Sequence, residues 1–196
     1  MLESHGRIEP SDYLPHSFRN CFSFDEHPLN PVPKGIFRKA IALWLYPRYS
    51  MSVYMRLAQY FYCKRTKGGS LFVFLAHYFR RKNEVNNNFE VNLSDNIGPG
   101  VIFHHMGVTI TAGTVLEGGV HVYRNVTLGA RNGGAPYVKK GAKLCSHSVI
   151  LGGVIVGENS IVAPGAVLID DVGDGMIAAG VPAKIIGKAS HSQYNF

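Results

Sequence analysis

The sequence predicts a mainly β fold, a three-sided coil of short parallel strands preceded by a short α-helical region. Three observations carry that reading. Large aliphatic residues recur every six positions through the second half of the chain. At Asn86-Asn87-Asn88 an aromatic, helix-forming texture gives way to a Gly-rich, β-branched one. The 196 residues, 46% hydrophobic and 17% charged, suffice to bury a core and argue against disorder.

The first 35 residues are rich in Pro, His and Asn and lack periodicity, so they read as an irregular arm. An apolar run from Ile36 to Leu45 predicts a short helix, ended by the residue before Pro47. Tyr54, Leu57, Ala58, Phe61 and Tyr62 follow i, i+3, i+4, i+7 spacing and predict an amphipathic helix over Ser50–Arg65. Lys67-Gly68-Gly69 breaks it, and a further apolar helix from Leu71 to Phe79 ends in Arg80-Arg81-Lys82, where cations suit a helix C-terminus. Such an aromatic, basic helix pair packs on its own domain, on a neighbouring subunit or on a membrane surface.

From residue 89 the anchors are Val91, Ile97 and Phe103; Ile110, Leu116, Val122 and Leu128; then Val138, Leu144, Ile150, Val156, Val162 and Leu168. Four residues after many of them stands a small or β-branched side chain, as at Thr114, Val126, Ala142, Ser148 and Ser160. A period of six is neither helical nor that of a simple strand. It suits a chain that turns a corner every six residues, with one aliphatic per side pointing inward. Thirteen anchors make a little over four coils, and stacking them builds the core that no single coil could. Two breaks interrupt the register. One extra residue bulges in His104-His105-Met106-Gly107, and four form a loop between Leu128 and Val138. Insertions in a solenoid fall on its surface, where function is carried. The organisation is an arm and helical region over 1–88, the coil over 89–188 and a tail over 189–196.

Net charge is +7, and all of it resides in residues 1–88, with 13 Lys/Arg against 6 Asp/Glu. That half suits an acidic ligand, an anionic surface or simply solvated helix faces. No nucleic-acid motif accompanies the charge. Cys21, Cys63 and Cys145 are too scattered for a disulfide framework or a zinc site. The N-terminal segment is polar and no stretch is long enough to span a bilayer, so a cytoplasmic location is expected.

The repeats, with the helix pair leading into FEVNLSDNIGPG, the segment VIFHHMG, the run TVLEGGVHVYRNVTLGA and the end AAGVPAKIIGK, resemble the hexapeptide-repeat acyltransferases. Within them the chain is most similar to serine acetyltransferases over residues 50–188, a layout shared with capsule and polysaccharide O-acetyltransferases. The resemblance implies a left-handed parallel β-helix, a homotrimer with clefts between subunits, and acetyl transfer from acetyl-CoA to a hydroxyl. It places the family's catalytic histidine on His105 and its orienting carboxylate on Glu90, where serine acetyltransferases have Asp. A neutral imidazole is a suitable general base at neutral pH, and a carboxylate fixes its tautomer. The resemblance places CoA along the coil corners at Ala130, Ser146 and Pro164, with Ala179, Gly180 and Lys184 near the C-terminus; Lys184 and Arg131 are candidates for its phosphates. No metal is implied. His121 and His147 sit in regular repeats and read as surface side chains.

The sequence departs from serine acetyltransferases at the substrate end. Their carboxylate before the catalytic histidine is His104 here, a substrate-binding candidate and the competing base. Their Arg-His pair is missing from the loop, which reads Gly134-Ala135-Pro136. The expected acceptor is therefore a saccharide hydroxyl, on a surface polysaccharide or its precursor, and peripheral contact with a membrane-linked glycan is part of that reading. The alternatives are serine O-acetylation, as in cysteine biosynthesis, and a non-catalytic scaffold.

Overall fold

The computed structural model describes residues 17–22, 25–26, 33–111 and 113–189; most of the expected arm and tail lies outside them. A 3-10 turn at Asn20–Phe22 precedes three helices, α1 (Ile36–Leu45), α2 (Pro47–Cys63) and α3 (Arg65–Asn87). Tyr46, extended before proline, separates α1 from α2, and Pro47 occupies the first helical position of α2. The helix thus begins three residues ahead of the expected Ser50. The third helix is also longer than expected. It bends at Gly69 (φ 58) instead of starting after it. It then continues past Arg80-Arg81-Lys82, where the i, i+4 pair Arg80–Glu84 at 2.8 Å supports another turn. Asn83 and Asn87 are buried on its packed face, the former donating to the Met51 carbonyl at 3.0 Å.

Fourteen short strands, β1 (Glu90–Val91) to β14 (Met176–Gly180), then wind into a three-sided parallel β-helix. Each third strand stacks on its predecessor. One side is β1, β4 (Thr109–Ile110), β7 (Thr127–Gly129), β10 (Val149–Leu151) and β13 (Val167–Leu168); the second is β2 (Asn96–Ile97), β5 (Val115–Leu116), β8 (Tyr137–Val138) and β11 (Ile155–Val156); the third is β3 (Ile102–Phe103), β6 (His121–Val122), β9 (Lys143–Leu144), β12 (Ile161–Val162) and β14, closed by antiparallel β15 (Ala183–Lys188). This is about five coils, a little more than the thirteen anchors suggest, because Val172 bridges Val156 and Ala178 stacks on Val162. The anchors line the interior: Ile97, Leu116, Val122, Leu128, Val138, Leu144, Ile150, Val156 and Val162 are all 0% exposed. Each contributes about 1.5–3 kcal/mol on burial.

The helices close the first coil. Met51 and Met55 of α2 reach into the β-helix core beside Phe89 and Val91, while Val53, Tyr54, Leu57 and Phe61 face α1 and α3. Arg56 ties the two parts together. Fully buried, it donates to Asp25 through Nε (2.9 Å) and Nη2 (2.7 Å). It also donates to the Ile97 and Gly98 carbonyls of the first coil, each at 2.7 Å.

Candidate active site

Both expected insertions are visible as backbone features. Paired residues are offset by 19 at Phe103↔Val122 but by 18 at Thr109↔Thr127, so one residue is looped out between them. Gly107 closes this bulge at φ 86, its N–H donating to the Asn88 carbonyl at 3.0 Å. The longer loop is a small hairpin. Arg131 and Gly134 exchange both backbone hydrogen bonds (2.8 and 3.0 Å) around Asn132 (φ 51) and Gly133 (φ 76). Two positive φ values in an Asn-Gly pair are the signature of a type I′ turn.

Registers assign each candidate to a corner. Following β3, β6, β9, β12 and β14, the first corner carries His105, Arg124, Ser146, Pro164 and Gly180 in successive coils. With strands about 4.8 Å apart, this column is about 19 Å long. Ala179 lies one position before it. Ala130 and Arg131 belong to the next corner, between the first and second sides, and so do not join this column within one chain. Lys184 is paired with Asp170 at 3.1 Å, both groups exposed.

His105 is exposed in the bulge. Partial burial and the charges of Arg48 and Arg124 hold its pKa below the ordinary histidine value. Glu90 is also exposed, just past the same corner in the preceding coil. The two flank one turn of chain, but no hydrogen bond joins them among the described residues.

His104 is half-buried and occupied. Its Nε2 lies 3.0 Å from His121 Nδ1, and its ring stacks on Tyr123 at 4.3 Å with planes 5° apart. Burial, followed by the charges of His121, Arg48, His105 and Lys143, lowers its pKa to about 4. A neutral, stacked His104 is poorly suited to accept a proton at neutral pH and well suited to shape a wall. His121 is therefore not a plain surface histidine, unlike the exposed His147. Sequence reading missed the grouping of His121, Tyr123 and Arg124 around the bulge. The signal was one coil away: each stands 17 to 19 residues after the member of the bulge that it meets. Arg48 comes from the first turn of α2, which packs on β3, and no repeat arithmetic could have placed it.

No sequence-family model matches the chain. A Schizosaccharomyces pombe protein assigned provisionally as a serine acetyltransferase is 38% identical over 103 residues, 50% of this chain and 38% of that protein. The serine acetyltransferase of Escherichia coli K12 is 32% identical over 114 residues, 55% of this chain and 42% of the relative. The chain thus spans about two fifths of the length of these relatives. Among solved structures, a serine acetyltransferase in complex with CoA superposes with a TM-score of 0.70 at 24% identity, covering 87% of this chain and 70% of that one. The Brucella abortus serine acetyltransferase gives 0.67 at 23%, covering 88% and 68%. By repeat and fold the chain is a three-sided hexapeptide β-helix of the kind seen in these solved structures, and over about half its length its sequence is similar to serine acetyltransferases.

Proposed function

We propose that the chain is an O-acetyltransferase that moves the acetyl group of acetyl-CoA directly onto a hydroxyl. The single observation that carries this is the corner column: a histidine on a one-residue bulge heads a line that passes Arg124 and continues through the small residues Ser146, Pro164 and Gly180, along which an extended pantetheine arm can lie against backbone. His105 takes the hydroxyl proton as the oxygen attacks the thioester carbonyl. The C–S bond of the tetrahedral intermediate then breaks, and the imidazolium returns the proton to the leaving thiolate. Holding both substrates along one corner supplies much of the rate. Glu90, across the turn, is the orienting carboxylate once a bound substrate draws the two together. Ala130 and Arg131, on a different corner, contribute to the groove from a neighbouring copy, which makes the working unit a homotrimer.

The relatives named above make L-serine the first acceptor to try. A saccharide hydroxyl is the second reading, favoured by His104 in place of a carboxylate and by the bare Gly134-Ala135-Pro136 loop. Thiol release from acetyl-CoA, followed with L-serine and with neutral and acidic oligosaccharides, decides between them. Turnover above the hydrolysis background with either class supports acetyl transfer. Its absence with every acceptor supports the scaffold alternative.

A further inference from the structure

Among the described residues, the surroundings of His105 are cationic and offer it no carboxylate contact. Arg124 stands one coil below it on the same corner, about 4.8 Å away along the stack, and its side chain is exposed. Arg48 approaches from α2, near enough for its charge to act on both His104 and His105. Neither arginine side chain has an ion pair or hydrogen bond among the described residues, although five ion pairs form elsewhere in them. Arg48 also occupies the first turn of a helix that has no acidic residue there, where the helix dipole disfavours a cation. Local stability explains neither residue. His104, engaged with His121 and Tyr123, brings no negative charge, and Glu90 across the turn bonds to none of them.

We propose that the acetyl acceptor is a hydroxyl compound carrying a carboxylate or phosphate, held by Arg48 and Arg124 beside His105, with no subsite for an ammonium group. This rests on the acetyl-transfer reading and sharpens it to a substrate class. An arginine fork binds either anion in two-pronged fashion. An ammonium on the acceptor would meet the same two charges without a counter-charge. The anion belongs to the acceptor and not to CoA because the arginines flank the reacting end of the column, whereas the CoA phosphates lie a full pantetheine arm from the thioester.

The test follows thiol release from acetyl-CoA with matched acceptors: glycerol, glycerate, glycerol 3-phosphate and L-serine, and then glucose, glucuronate and glucose 6-phosphate. The expected result is a kcat/KM at least tenfold higher for an anion than for its neutral partner in one series, falling with added salt. In the doubly substituted Arg48→Gln, Arg124→Gln protein that advantage drops below threefold through the acceptor KM, while Arg48→Lys retains part of it. Glycerate and glycerol 3-phosphate separate carboxylate from phosphate. If neutral acceptors or serine match the anions, the inference fails and acetyl transfer stands. A rise in the acetyl-CoA KM in place of the acceptor KM also overturns it, by assigning the anion to the donor. If no acceptor supports thiol release, the acetyl-transfer reading fails and takes the inference with it.

Discussion

Replacing Arg56 with methionine should loosen the joint between helices and β-helix more than any other single change. The guanidinium is 0% exposed and Asp25 only 6%. Substitution leaves that carboxylate buried without its two charged donors at 2.9 and 2.7 Å. It also strips a charge-assisted donor from each of the Ile97 and Gly98 carbonyls. Breaking a buried pair from one side costs about 3–5 kcal/mol. Against a total stability of about 5–15 kcal/mol, that is a large fraction, equivalent to about 6–20 °C in Tm for a chain of this size. Asp25→Asn keeps a hydrogen-bonding partner for Arg56 and should cost less, about 1–3 kcal/mol. Removing both partners should cost less than the summed singles, because neither charge is then left alone. Urea unfolding followed by far-UV circular dichroism measures all three. A loss below about 1 kcal/mol in Arg56→Met would refute the reasoning, since the clamp would then not be a working part of the fold.

Three other outcomes follow from local geometry. The Ser160 hydroxyl donates to the Gly157 carbonyl at 2.7 Å, whereas Ser148 Oγ is buried with no partner among the described residues; Ser160→Ala should lose about 1 kcal/mol and Ser148→Ala should gain up to about 1 kcal/mol, read from denaturation midpoints. Gly107→Ala forces an L side chain to φ 86 and drives its Cβ into the Asn125 side chain, so it should cost about 1–3 kcal/mol and lower acetyl transfer by displacing His105. His104 titrates near 4 in the fold against about 6.5 unfolded; because the unfolded state takes up the proton first, stability falls as pH drops from about 6.5 towards 4, by at most about 3 kcal/mol and less after solvent screening. His104→Gln should remove that share of the slope in thermal melts at pH 7 and pH 4.5.

The coil was legible because its physics is repetitive. An aliphatic such as Leu128 on one side, or Leu144 on another, must point inward, so period and core are one observation. Both breaks in the period stand where the chain leaves the coil. The helical boundaries were less legible. Pro47 reads equally as a stop for α1 and as a start for α2, and the extension of α3 depends on Asn83 and Asn87 finding buried partners on α2. The site was half legible. His105 stood out through its bulge, and the one-coil offset that brings Arg124 below it was available in the spacing. The pairing of His104 with His121 depends on side-chain rotamers, and the approach of Arg48 depends on how α2 packs against β3. The first leaves only its one-coil spacing of 17 residues in the sequence, and the second leaves no trace in a linear pattern.

The central claim is that His105 removes a proton from an acceptor hydroxyl during transfer from acetyl-CoA. The most direct measurement is kcat/KM for thiol release against pH, in wild type and in His105→Ala, using the best acceptor found. The account predicts a rate that falls on the acid side with a midpoint below about 6.5, since burial and the Arg48 and Arg124 charges favour neutral imidazole, and a loss of about 10²–10⁴-fold in the variant. Wild-type activity retained in His105→Ala, with the same acid limb, would contradict it.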